Sequence, residues 1–331
     1  MLDVTIDKYA IRVGPRFAVS FQRTLRIPDD GRTYPLPPGL GAFPVLPTAD
    51  FASRVPASWC AADSGFIAMY QREALWLGFR GAAWKPNAVK IAVGRINVVS
   101  GAPFDEVLRD RPQDYLVVPE QPWLDGINTA HGAIRQFVAM PLGAGYTVEA
   151  ALSGSEQFGG IQIVVFEPKA GRFPESPPPQ PPPGPEKMSA PGARTMGLGA
   201  GGAMRQKIYP DPYGLHTWDP QDYGSVNVHI LNSDQYRQVT GKPPPLPPID
   251  AATYTRHGLP WFDLYDEERP DVAPAPRLRD ARTVAQRDAE LDRIAAGVES
   301  FEVTETQIKK LRRKGAERPD RAGPREEAAH P

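Results

Sequence analysis

The densest collection of groups able to bind or react lies between Tyr209 and Gly224. There the run Tyr-Pro-Asp-Pro-Tyr-Gly-Leu-His-Thr-Trp-Asp-Pro-Gln-Asp-Tyr-Gly is followed by His229. Tyr213, His216, Trp218, Asp219, Asp222 and His229 are the candidate binding residues. Imidazoles and carboxylates at this density suit zinc or iron, and the aromatic faces beside acceptors suit a sugar or a peptide equally well. The spacing matches neither the His-Glu-x-x-His helix nor a facial triad. No firm metal site and no cofactor are therefore assigned. Asp-Pro and Tyr-Gly pairs are turn formers, and Trp and Tyr anchor loops. A structural loop is the simplest reading of the segment, with binding second and catalysis third.

Other patterns carry less chemistry. Gly197-Leu198-Gly199-Ala200-Gly201-Gly202 formally contains G-x-G-x-x-G, but a proline-rich stretch precedes it and Pro210 and Pro212 follow closely. The strand and helix N-terminus that would bring backbone N–H groups to a pyrophosphate are missing. A flexible lead-in to the next unit is expected instead. Leu259–Glu268 mixes bulky apolar and acidic residues; it reads as a tether onto its own domain in preference to a recognition motif. Cys60 has no histidine near it in sequence, and Gly154-Ser155 falls in a turn without the G-x-S-x-G pattern. His131 is the loop histidine to test for a triad assembled from distant segments. The basic run Lys309–Lys314 sits where the last turns of a helix before Gly315 are expected, and there cations offset the helix dipole.

The elements that must position these residues divide the chain into four. Residues 1–172 read as successive strands: Tyr9–Val13, Phe17–Ile27, Ile67–Phe79, Ala88–Val99, Tyr115–Val118, Ile134–Met140, Tyr146–Leu152 and Ile161–Phe166. No amphipathic helix of ten residues separates them. The fold class is therefore mainly β, with an antiparallel β-sandwich or jelly-roll-like N-terminal domain. The six prolines of Tyr34–Pro56 cannot donate to a ladder, so that stretch is an ordered loop or edge covering. Residues 173–193 form a proline-rich linker, a semi-rigid polyproline spacer. Limited proteolysis there is expected to release a folded N-terminal fragment.

Residues 194–272 read as a small α+β unit. It holds a strand at Ser225–Leu231 and a helix over Asp234–Thr240, started by Ser233 and stopped by Gly241. Residues 273–331 are a charged tail, with 13 Arg or Lys against 11 Asp or Glu from 277 onward. Two capping boxes, Thr283 with Gln286 and Thr304 with Gln307, predict two short helices in it. In the first, Val284, Leu291 and Val298 form a narrow apolar seam suited to docking on the body or on a partner.

Bulk numbers narrow the function classes. The 38 basic and 39 acidic residues leave a net charge of -1, so no overall field gathers nucleic acid or an anionic membrane. A single cysteine excludes an intramolecular disulfide framework and a thiolate zinc site. The first fourteen residues alternate polar and apolar without the pattern of a leader, and no apolar run reaches the roughly 20 residues of a membrane span. A soluble, cytoplasmic protein is expected. Proline makes up 39 of the 331 residues, well above the usual share of about 5%. Twenty of them lie in Tyr34–Pro56, Pro174–Pro191 and Pro243–Pro248, which marks stiff connections in place of diffuse disorder.

The stretch Ile134–Glu149, continuing to Gly159–Gln162, resembles segments of an uncharacterised family of bacterial and fungal proteins. The resemblance covers mostly the first domain and implies no activity, cofactor or catalytic residue. The residues themselves favour a non-catalytic binding or scaffold protein acting through protein or glycan contacts. A protein partner would meet the aromatic-rich loop, the linker or the C-terminal helices. The alternative is a hydrolase, possibly metal-dependent, whose site lies between the two units and uses His216, Asp219 or His229.

Overall fold

Alternating apolar residues dictate strands with one row of side chains facing a core. Phe17–Thr24 and Ala74–Arg80 pair antiparallel from Ala18↔Arg80 to Thr24↔Ala74, which turns Val19, Phe21, Leu75, Leu77 and Phe79 inward. Phe137 of the strand Ala133–Pro141 pairs in turn with Leu75, and the same strand pairs along its length with Ala193–Arg205. A second antiparallel set is formed by Asn87–Val93, Ile161–Pro168 and Trp218–Asn232, aligned through Ile163↔Ile91 and Ile163↔Val226. The two sets join where Met196 pairs with Ile230. Leu77, Phe137 and Leu198 from one set meet Ile91, Ile163 and Val226 from the other in a single core. The computed structural model describes residues 1–60, 62–176, 193–243, 249–263, 269–291 and 299–310. Within them the protein is mainly β, with a large, predominantly antiparallel sheet and few helices.

Several local expectations are corrected. The expected small α+β unit at 194–272 contributes two of the main sheet's strands, Ala193–Arg205 and Trp218–Asn232. Their apolar rows can be buried only against strands of the first 172 residues, because their own segment supplies no facing sheet. Gly197 and Gly199 are therefore ladder positions, opposite Met140 and Val138, and not a flexible lead-in. A Cβ on Gly197 would stand 2.7 Å from Thr147 Cγ2, and one on Gly199 would stand 2.9 Å from the Tyr146 carbonyl oxygen, so glycine lets the covering segment approach.

That covering segment was expected to be the strand Tyr146–Leu152, but the structure has a helix at Val148–Ser153. The Thr147 hydroxyl accepts from the Ala150 N–H, and Gly154 closes the helix at φ 75°. The expected strand Ile67–Phe79 is two strands, Ser64–Ala68 and Ala74–Arg80, on either side of a turn that holds Arg72 at φ 69°. Short strands Gly39–Ala42 and Leu46–Pro47 in the proline-studded loop pair at sheet edges.

The helix before Gly241 is present as Ser233–Thr240, capped by the Asn232 side chain. Thr283 and Gln286 form their capping box on the helix Val284–Glu290. The second box opens only a three-residue 3-10 turn, Glu305–Gln307, after which Ile308–Lys310 pairs in parallel with Trp261–Asp263. The expected second tail helix is thus replaced by a strand where an aromatic partner strand is at hand. The linker from residue 177 to 192, the prolines from 244 to 248, the seam residue Val298 and the basic run beyond Lys310 lie outside the described residues. Among the described residues no helix is long and apolar enough to cross a membrane.

Candidate functional site

The loop that holds most of the candidate residues is built around an internal hydrogen-bond hub. Trp218 is buried, and its indole N–H donates to Asp211 Oδ2 at 2.9 Å; the Tyr115 hydroxyl donates to the same oxygen at 2.6 Å. Tyr213 stands edge-on between Trp218 and Phe173. Tyr213 and Trp218 therefore hold the loop's shape. His216 lies exposed at the rim of an open groove of about 560 Å³, with Asp110, Lys169, Leu108 and Leu215 on its walls. Asp219 Oδ1 accepts from the Gln221 N–H at 2.9 Å and closes a turn, while Asp222 is exposed.

His229 is on the same strand as Trp218 but eleven residues on, a path of about 35 Å at strand rise. It stacks face to face on Trp59 at 3.8 Å. Burial pushes its pKa down to about 4, and Nε2 has no hydrogen-bond partner among the described residues. It is thus a neutral, stacked ring. The structure brings Tyr213, His216 and Trp218 together, leaves Asp219 and Asp222 on the irregular start of the strand, and puts His229 toward its far end. Among the described residues no three His, Cys, Asp or Glu side chains gather into a group that could hold a metal. His131 is exposed in a turn, 3.9 Å from the Asp271 carboxylate, and Cys60 is exposed.

A different constellation forms on the outer face of Ala74–Arg80. Leu75 and Leu77 point into the core, so Trp76 between them points out. Glycines keep its ring flat: a Cβ on Gly39 would lie 3.3 Å from Trp76 Cζ2, and one on Gly78 would lie 3.0 Å from Trp76 Cζ3. Trp123 pairs with Gly78 on the neighbouring strand and so stands diagonally beside Trp76 on the same face. Phe262 arrives from the other end of the chain. Its backbone exchanges two hydrogen bonds with Leu36, at 2.8 and 2.9 Å, while Trp261 beside it is buried. The tether expected at Leu259–Glu268 thus has its anchor in Trp261 and adds Phe262 to the site.

Trp76, Trp123 and Phe262, each half-buried, enclose with Leu36 and Pro37 a pocket of about 200 Å³. Its one ionisable lining group is Asp125. Gln206 grips this residue twice: its Nε2 donates to Asp125 Oδ2 at 2.7 Å and its Oε1 accepts from the Asp125 N–H at 2.9 Å. Trp123 donates a further hydrogen bond to the carboxyl. Burial outweighs both donors and pushes its pKa up to about 7.

Sequence reasoning places Trp76 in a strand but passes over it as a site residue, and it passes over Trp123 and Asp125 entirely. The available signal is a tryptophan on the outward position of an alternating strand, Leu75-Trp76-Leu77, and an aspartate between Leu124 and Gly126. No family model, no curated protein and no solved structure matches the chain.

Proposed function

We propose that the protein is a non-catalytic binding protein that holds a ligand group in the Trp76–Trp123–Phe262 pocket, displayed on a sandwich-like β scaffold. The observation that carries this reading is the convergence of three half-buried aromatic rings from distant segments on one apolar pocket. Ligand sites are concave and mostly apolar, with few polar groups to orient the occupant. This one has a single carboxyl, and its rings are held by glycine contacts, a strand pair and a backbone bridge. Its volume suits one side chain, ring or headgroup of a larger partner. The candidate catalytic groups, by contrast, are dispersed: His216 lies in the turn Leu215–Thr217, and Asp219 and His229 lie near opposite ends of the Trp218–Asn232 strand.

Ligand-observed saturation-transfer NMR on the full chain tests the reading. A panel of amines, heteroaromatics, pyranose sugars and proline amides is expected to give contacts that disappear in Trp76→Ala and Trp123→Ala and persist in His216→Ala. Contacts that survive both tryptophan substitutions and vanish in His216→Ala would move the site to the other groove. A panel with no contacts at all would remove the reading.

A further inference from the structure

We propose that the group held by this pocket is an alkylammonium cation, enclosed by Trp76, Trp123 and Phe262 and counter-charged by Asp125. The inference rests on the binding reading above and names its ligand class. Its starting point is a comparison of the buried acidic residues. Seven Asp or Glu residues are buried among those described: Glu73, Asp114, Asp125, Glu149, Glu167, Asp263 and Asp288. Five pair with a cation: Glu73 with Arg23, Asp114 with Lys90, Glu167 with Arg16, Asp263 with Arg205 and Asp288 with Arg72. Glu149 takes the backbone N–H groups of Gln157, Phe158 and Gly159. Among the described residues Asp125 has two uncharged side-chain donors, Gln206 and Trp123, and it lines the aromatic pocket.

A buried carboxyl in that state is costly as an anion and lacks what the other buried acids have. Among the described residues, the cations on neighbouring strands are committed elsewhere. Arg205 pairs with Asp263, Lys207 donates to the Arg269 carbonyl, and Arg135 donates to the carbonyl of Ala281. A cationic occupant of the pocket would supply the missing charge and favour the ionised carboxyl. The walls select the kind of cation. A tryptophan face attracts positive charge through its quadrupole and offers no hydrogen bonds, so it favours a poorly hydrated alkylated ammonium over a compact, strongly hydrated one. Leu36 and Pro37 would meet the alkyl groups. An anion would face the carboxyl, and a sugar would find too few polar partners.

The probes are choline and its neutral tert-butyl analogue, in which carbon replaces the nitrogen. Both are titrated into the full chain and followed by tryptophan fluorescence and calorimetry. Choline is expected to bind about tenfold or more tightly than the neutral analogue. Because choline does not titrate, lowering the pH from about 8 to about 6 should weaken choline alone as Asp125 takes up a proton. Asp125→Asn should bring choline down to the analogue's affinity and leave the analogue unchanged. The ratio and the pH dependence are read on the unaltered protein, so they stand even if the variant folds poorly. Equal affinities would overturn the ammonium assignment and keep the binding reading, as would failure of both probes while the NMR panel still gives tryptophan-dependent contacts. Failure of both probes together with an empty panel would overturn both.

Discussion

Asp125 shows how one side chain links the site to stability. Its folded pKa is about 7 because burial disfavours the charge, whereas an unfolded aspartate titrates at about 3.9. Between those two values the folded protein holds a proton that the unfolded chain releases. Stability from this group therefore falls as pH rises from about 4 to about 7 and is flat above. Urea midpoints at about pH 5 and about pH 8 should show the unaltered protein losing stability relative to Asp125→Asn, which has no proton to lose. Parallel midpoints would mean that the carboxyl is ionised throughout. His229 acts in the opposite sense: burial lowers its pKa to about 4, against about 6.5 unfolded, so its contribution rises with pH across this window, equally in both proteins, and cancels in the comparison with Asp125→Asn.

The helix Val284–Glu290 is the element whose attachment is most clearly built. Asp288, with a side chain 1% exposed, accepts from both terminal nitrogens of Arg72 at 2.6 Å and from the Tyr146 hydroxyl at 2.7 Å. Burial alone would raise its pKa. Hydrogen bonds from Arg72 and Tyr146, with the charges of Arg72 and Arg26, outweigh it and hold the carboxyl below its ordinary value. The contribution is thus present above the unfolded aspartate's pKa and is lost as pH falls through the lower folded one. Asp288→Ala strands the Arg72 guanidinium and should cost about 3 kcal/mol. Hydrogen exchange at neutral pH checks where the cost falls. Amides of 284–290 should exchange faster while those of Ile161–Pro168 stay protected, and unchanged exchange in the helix would refute the clasp. The capping box at Thr283 starts this helix, but three residues of helix after an identical box at Thr304 show that a cap starts a turn and packing decides its length.

At the scale of the whole molecule the sheet joins strands from both sides of the proline-rich stretch. Ala133–Pro141 pairs with Ala193–Arg205, and Ile161–Pro168 pairs with Trp218–Asn232, so strands before residue 172 are held by strands after residue 193. A cut between residues 177 and 192 should therefore leave two fragments that co-elute in native size exclusion and separate only in denaturant. That outcome replaces the free N-terminal fragment expected from composition. Elution of a folded fragment ending near residue 176 by itself would show that the shared core is dispensable. Each buried Leu, Ile, Val or Phe contributes roughly 1.5–3 kcal/mol, and the core draws on both sides of the cut.

Local pattern sufficed for what is local. Strands such as Ile161–Pro168, the Ser233–Thr240 helix with Gly241 at its end and the Thr283 capping box are legible because period, cap and stop signal all lie within a few residues. A net charge of -1 and a lone cysteine likewise follow from counting alone. The histidines looked like a site because they are close in sequence, yet an extended strand carries His229 away from His216. Trp76, Trp123, Asp125 and Phe262 looked unrelated because up to 186 positions separate them, and only strand register and one backbone bridge to Leu36 bring them together. The local elements and caps were readable in the sequence because they arise from contacts a few residues apart, whereas at Val148–Ser153 and Ile308–Lys310 packing overrode the local pattern. The tertiary structure decided which strands share a core and which rings share a pocket, because both depend on pairings between segments far apart in the chain.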